Sequence, residues 1–428
     1  MKKSCLALIA ALVAGGVTTA QAQDVKVNAL FIGWYTQMLD NNLRLNAAPA
    51  GGLSYYSLGG TKGGSSTNPL NENGFSVRRA EIYLAAKVTD EISANVMIDP
   101  NQAAPILFDA FITYKPTSNL EFRIGQFKSF VGYEATSVGS PDLLFVDRSM
   151  AQRSLVDFRE RGVSGSYLFG NKDFGGKVTA GVFNGLRAGA DRVNDNNAQK
   201  DVTLRVDFNL GAAHKFGAYL GQGQTDLTDK TGTAAATARQ FAGLAPSTGF
   251  DAAVRDNNDK TTNYGLYYYF NQGPWHFDTE VMTGLLGRRF PSLINGTPTA
   301  PDTIAAKRQH LDQAFLGFYL TAGYTVGHHS FLVRYDYANF NQGDKWYTTF
   351  NPYNESAPGV ARTDGGDYTP KYTEITAGYT YAFKPELVRK ANVKLNYIAR
   401  SKNFLAPRAG QVGEQGGDSL VAAFQIYF

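Results

Sequence analysis

From about residue 25 to its end, the chain alternates apolar and polar side chains with period two. This constrains the fold more than any other feature. A strand turns successive side chains to opposite faces, whereas a helix would repeat near 3.6. Ala80, Ile82, Leu84, Ala86 and Val88 fall on one face, and Arg79, Glu81, Tyr83 and Lys87 on the other. After Thr89-Asp90 the pattern restarts, with Ile92, Ala94, Val96 and Ile98 against Ser93, Asn95 and Asp99. It recurs at Val202, Leu204, Val206 and Phe208 against Thr203, Arg205 and Asp207. Near the end, Val393, Leu395, Tyr397 and Ala399 oppose Asn392, Lys394, Asn396 and Arg400. No helical periodicity of any length interrupts this rhythm.

A soluble sandwich also alternates, so two further features decide. The first is that connections alternate in length. Short turns fall near 89, 116–119, 170–173, 211–214, 271–273, 326–328 and 384–386. Longer polar segments lie near 39–73, 129–160, 185–200, 224–260, 285–311, 340–370 and 402–417, with a short loop at 100–106. Short periplasmic turns and long extracellular loops mark outer-membrane barrels. The second feature is length, since segments of mostly 9–14 residues suit a tilted membrane crossing. The reading is an all-β fold, a transmembrane antiparallel β-barrel of about 16 strands. The strands are expected at 25–38, 74–88, 91–99, 107–115, 120–128, 161–170, 176–184 and 201–210. The remainder are expected at 215–223, 261–270, 275–284, 312–325, 329–339, 371–383, 391–401 and 418–428.

Composition agrees. Charged residues make up 18% of the chain, below the roughly one quarter usual in soluble domains. Tyr (24) and Phe (28) are abundant and crowd strand ends, as at Phe31 to Tyr35, Tyr267 to Phe270 and Tyr379 to Phe383. Aromatic girdles sit at such levels. The formal charge is +4, and Lys2 and Lys3 belong to the leader described next. A nearly neutral mature chain argues against a nucleic-acid partner.

The N-terminus reads as a secretory signal over residues 1–22. Lys2 and Lys3 precede an apolar run from Leu6 to Val17, and Ala20-Gln21-Ala22 forms a cleavage site. The mature barrel domain would span 23–428. Cys5, the one cysteine, leaves with the leader, which removes disulfides and thiol chemistry. At the other end, Leu420, Ala422, Phe424, Ile426 and Phe428 alternate with Ser419, Val421, Ala423, Gln425 and Tyr427. A last strand closing on an aromatic residue resembles the signal read by the barrel assembly machinery. The surroundings are then outer-membrane lipid and lipopolysaccharide. A barrel of this size leaves an aqueous channel, and no plug segment precedes the first strand.

Several ordered pieces carry a resemblance. They are Gly74-Phe75-Ser76-Val77-Arg78-Arg79-Ala80, then Phe108 to Pro116, then Phe122-Arg123-Ile124-Gly125-Gln126-Phe127-Lys128, then Phe145-Val146-Asp147-Arg148-Ser149. This region resembles the phosphate-selective porin O and P family. Ser129 departs from the family's usual acidic residue, and Asp147 from its usual Glu. The resemblance implies a 16-stranded trimeric porin with a third loop folded into the pore. It also implies anion passage, phosphate included, guided by Arg and Lys. The third long loop here is 129–160, with Arg148, Arg153 and Arg159 inside it and Lys128 and Arg161 at its flanks. Guanidinium forks suit phosphate, and several weak sites serve flow better than one tight site.

Parity makes Arg79 and Arg123 lumen residues. Arg78 and Lys128 have the opposite parity and rest on the family motif. Lys87, Lys177, Arg205, Arg334, Lys394 and Arg400 share the lumen face with Glu81, Asp99, Glu121, Asp207, Asp278, Glu280, Asp336 and Glu374. These sets balance, so many such charges are expected to pair across the wall.

Three motifs look like chemistry without supplying it. Gly417-Asp418-Ser419-Leu420 spells an esterase nucleophile motif, but no His or Asp follows it. His328-His329 sits in a turn without nearby carboxylates, so no metal is expected. Gly59-Gly60 and Gly63-Gly64 lack the strand-to-helix context of a phosphate cradle. No cofactor is implied. Against a porin stand a transporter for hydrophobic compounds, an outer-membrane hydrolase and a non-conducting adhesin. The first would need an apolar lumen. The second would need paired Ser and His, and of the five histidines only His276 lies clearly within an expected strand.

Overall fold

Strands with one apolar face can span lipid only if no edge is left unpaired, because lipid offers the backbone no hydrogen-bond partner. The computed structural model meets that demand with a closed barrel. It describes residues 24–39, 74–101, 106–156, 159–185, 200–224, 260–286, 313–339, 342, 371–401 and 418–428. The leader at 1–22, and most of the long loops other than the third, lie outside the described residues.

Sixteen strands follow in chain order. They are β1 (Asp24–Met38), β2 (Gly74–Lys87), β3 (Ile92–Ile98), β4 (Leu107–Tyr114), β5 (Leu120–Lys128), β6 (Arg159–Gly170), β7 (Phe174–Phe183) and β8 (Asp201–Leu210). Then come β9 (His214–Gln224), β10 (Lys260–Gln272), β11 (Trp275–Leu286), β12 (Gln313–Val326), β13 (His329–Asn339), β14 (Lys371–Ala382), β15 (Ala391–Arg400) and β16 (Ser419–Tyr427). Each strand pairs antiparallel with its neighbours, and β1 closes on β16 from Leu30↔Tyr427 to Met38↔Ser419. The expected boundaries agree to within about two residues.

Alternation sorts the two faces as expected. Leu204, Leu220, Leu266 and Ile375 are exposed on the outside, whereas Arg205, Asn263, Glu280 and Glu374 are buried inside. Two departures matter for the site. First, Leu30, Ile32 and Trp34 of β1 face inward and are buried with Val146, Ile398 and Val421. Apolar side chains inside a water-filled barrel need a partner, and the third loop supplies it. Secondly, β2 carries a bulge. Ile32 pairs Arg79 and Gly33 pairs Val77, so Arg78 has no opposite number. An extra residue re-aims side chains, and Arg78 joins Arg79 on the inner side.

Two single-turn helices, α1 (Tyr133–Ser137) and α2 (Met150–Leu155), lie in the third loop. Sequence periodicity missed them because five or six residues are too few to show a helical repeat.

Candidate functional site

The third loop leaves β5 at Ser129 and folds inside the barrel. Its helices need partners for their free N-terminal N–H groups, and wall carboxylates provide them. The Glu280 carboxylate accepts from the backbone N–H of Tyr133 (2.7 Å) and of Glu134 (3.1 Å). Asp336 accepts from Met150 N–H at 3.0 Å, and the Ser149 hydroxyl from Gln152 N–H at 3.3 Å. Between the helices, Asn396 Oδ1 accepts from Val146 N–H (2.8 Å). Lys394 Nζ donates to the Leu143 carbonyl (2.5 Å), and Gln425 Nε2 to that of Pro141 (2.9 Å). Beyond α2, Asn263 Nδ2 holds the Leu155 carbonyl at 3.0 Å.

Apolar packing supports these bonds. Val131, Ala135, Met150, Ala151, Leu155 and Val156 of the loop pack on Tyr219, Tyr267, Met282, Phe315, Ala338 and Tyr372 of the wall. Burial of one such side chain contributes about 1.5–3 kcal/mol. Glycines let the loop come this close. A Cβ on Gly317 would stand 2.8 Å from Leu155 Cδ1 and 2.9 Å from Ala151 Cβ. One on Gly378 would stand 2.9 Å from Phe145 Cε1.

Arg334 is the centre of the charged contacts. Its Nε donates to Asp336 at 2.8 Å, and its terminal nitrogens to the carbonyls of Asp147 (3.1 Å) and Arg148 (3.3 Å). Glu134 and Glu374 each lie 3.8 Å away. Arg400 of β15 approaches Glu374 to 3.4 Å. In the loop, burial raises the Glu134 pKa above the ordinary Glu value, against the pull of Arg334. Burial would raise Asp147 too, but Arg78, Arg153 and Arg79 overcome it and hold that carboxyl well below its usual range. Burial, with Arg79 close by, lowers Arg148 to about 10, which leaves it charged at neutral pH.

Most of the arginines singled out from sequence are engaged in this scaffold. Arg78 bonds Asp147 at 2.9 Å and lies over the Trp34 ring. Arg79 pairs Glu81 at 2.8 Å and reaches Asp147 at 4.0 Å. Arg148 donates to the carbonyls of Val138 (2.9 Å) and Glu134 (3.4 Å). Arg153 meets Glu374 at 3.6 Å. Arg159, which opens β6 rather than ending the loop, grips Asp109 with two nitrogens at 2.8 and 3.2 Å. Arg161 has the parity of the exposed Val163 and Tyr167, and donates to Gln126 at 3.1 Å.

Arg123 and Lys128 stand apart. They line a cavity of about 550 Å³ between the third loop and the opposite wall, together with Lys177, Arg205 and Lys215. The acidic side chains on the same lining are Asp109 and Asp207. Arg123 pairs Glu121 at 2.7 Å, and Arg205 pairs Asp207 at 2.9 Å. Lys128 reaches the Val138 carbonyl at 3.4 Å. Among the described residues, the ammonium groups of Lys177 and Lys215 have neither a hydrogen bond nor an ion pair. Parity alone places Lys177 and Arg205 in the lumen, as found. Lys215 is a further lumen cation, and the signal that would find it is the outward parity of Phe216, Ala218 and Leu220.

Two of the lookalike motifs resolve as wall structure, and Gly59-Gly60 and Gly63-Gly64 lie outside the described residues. Ser419 is buried in β16 and bonded by Arg400 at 2.8 Å. His328 contacts the Ala382 carbonyl and His329 the Tyr379 hydroxyl, each at 2.8 Å. No carboxylate, His or Cys cluster able to hold a metal occurs among the described residues. Besides His276, His214 and His329 also lie in strands, opening β9 and β13.

A closed, lipid-facing barrel with an inward loop and a charged lumen is the architecture of an outer-membrane channel. The chain belongs to the phosphate-selective porin O and P family, whose model matches residues 56–428. It is a porin. Its fold is similar to that of the outer-membrane channel DcaP of Acinetobacter baumannii, at 11% identity and TM-score 0.53, covering 97% of this chain and 100% of that one. It is also similar to a loop L8 deletion mutant of the Vibrio cholerae outer-membrane protein OmpT, at 12% identity and TM-score 0.52, covering 95% and 100%. Salmonella typhi OmpF in complex with daunomycin follows, at 11% identity and TM-score 0.51, covering 95% and 98%. No curated protein matches the sequence.

Proposed function

We propose that this porin prefers anions, with phosphate among the solutes it passes. One observation carries the reading. Beside the third loop, the open cavity is lined by five basic side chains, Arg123, Lys128, Lys177, Arg205 and Lys215, against two acidic ones, Asp109 and Asp207. An excess of one sign in a low-dielectric passage raises the local concentration of the opposite ion. Arg78, Arg79, Arg148, Arg153, Arg159 and Arg161 serve the passage indirectly, by fixing the loop and the wall. The chain works without catalysis, as a homotrimer delivered by a leader at 1–22 and inserted by the barrel assembly machinery. Lipopolysaccharide would border its long-loop end.

Purified trimers in a planar bilayer test this. Stepwise conductance and a reversal potential favouring chloride over potassium are expected in a salt gradient. A potassium preference, or phosphate that leaves the chloride current unaffected, would refute the respective part of the reading.

A further inference from the structure

The basic cavity is not lined by donors alone. Phe111, Phe127, Phe130, Tyr133 and Tyr267 share its wall. Phe111 and Tyr133 remain partly exposed, so part of each ring meets whatever enters, although one face of Tyr133 is stacked on Tyr267 at 4.1 Å. Each carries a guanidinium. Arg123 lies 4.7 Å from the Phe111 ring centre and 5.5 Å from that of Phe127, and Arg205 lies 5.5 Å from that of Tyr133.

A small, strongly hydrated inorganic anion gains from several convergent donors and nothing from a ring. Here the donors are dispersed and partly engaged, since Arg123 already gives one nitrogen to Glu121 and Arg205 gives its own to Asp207 and Thr136. What remains is the exposed part of the Arg123 guanidinium not bonded to Glu121, the Lys177 and Lys215 ammonium groups and two rings. At about 550 Å³ the space is that of a small-molecule pocket.

We infer that this cavity is a selectivity site for organic anions with a planar aromatic body, aromatic carboxylates, and that it holds them more tightly than phosphate. The carboxylate would sit between Arg123 and Lys177, with the ring against Phe111 or Tyr133. This rests on the anion-preferring reading above and narrows it to a solute class.

The test compares block of the chloride current through wild-type trimers by benzoate, acetate and inorganic phosphate, each added alone at neutral pH. Benzoate should half-block at a concentration about tenfold below that of acetate, the increment expected of one aromatic contact. It should also act below phosphate. Phe111→Leu and Tyr133→Leu should each raise the benzoate value about fivefold with little change for acetate. Arg123→Gln should raise both. Equal block by benzoate and acetate, stronger block by phosphate, or benzoate block untouched in both ring variants would overturn the inference. A reversal potential favouring potassium would instead defeat the anion reading itself. The two failures are therefore distinguishable.

Discussion

Two halves of the lumen use the same residue types for different ends. On β10 to β16 and β2, inward carboxylates and cations are bound to the third loop or to each other. Glu280 and Asp336 hold helix N-termini, Lys394 and Gln425 hold carbonyls, and Arg334 joins three acidic side chains. On β5 to β9, Arg123, Lys177 and Lys215 meet open space, while Arg205 lines the same cavity but is tied to Asp207 and to Thr136 of the loop. The difference teaches that lumen charge cannot be counted residue by residue. A cation beneath the loop is structure, whereas one across from it acts on solute.

The sharpest way to break this comparison is at Arg334. Arg334→Ala would strand Asp336 and Glu134 in a buried site, while Glu374 keeps Arg153 and Arg400, a cost of about 3–5 kcal/mol. The loop should leave the wall. Single-channel recordings should then show larger, noisier conductance with weakened ion preference. Next in size is Gly317→Val. Its new side chain would meet Leu155 and Ala151, costing about 1–3 kcal/mol through overpacking. Protease cleavage within the loop should accelerate while the barrel stays heat-resistant on a gel.

Lys177→Gln probes the open half. Removing one water-facing charge should lower the chloride-to-potassium permeability ratio about twofold and leave thermal unfolding unchanged. A matching stability loss would show that Lys177 belongs to the scaffold after all.

Replacing the loop's own Asp147 should do least. Asp147, held low by its arginines, contributes docking strength above the ordinary Asp range and loses it only as pH falls through its depressed value. Glu134 has the opposite sign. Its raised value means the docked loop takes up a proton more readily, so acid favours docking at that residue. Between neutral pH and about pH 5 Asp147 should therefore stay ionised, so Asp147→Asn should weaken loop docking, read as noisier single-channel conductance, equally at both ends of that window.

Much of this was legible from the order of residues. Period two set the strands and placed Arg79, Arg123, Lys177 and Arg205 inward. Arg78 escaped the same rule because a bulge, visible only as a register shift against β1, re-aims it. The loop was legible only as a polar interval. Its helices are single turns, and they owe their ends to Glu280 and Asp336, more than 140 residues further along the chain.

Alternation and connection length are local properties, written into neighbouring residues, and they suffice for the barrel, its sidedness and the inner face. Which inward charges remain free is a non-local property. It depends on where one loop comes to rest, and that depends on shape, on glycines such as Gly317 and Gly378 that let it approach, and on distant side chains that cap its backbone. Only folding brings those together, and it is folding that separates the supporting wall from the conducting one.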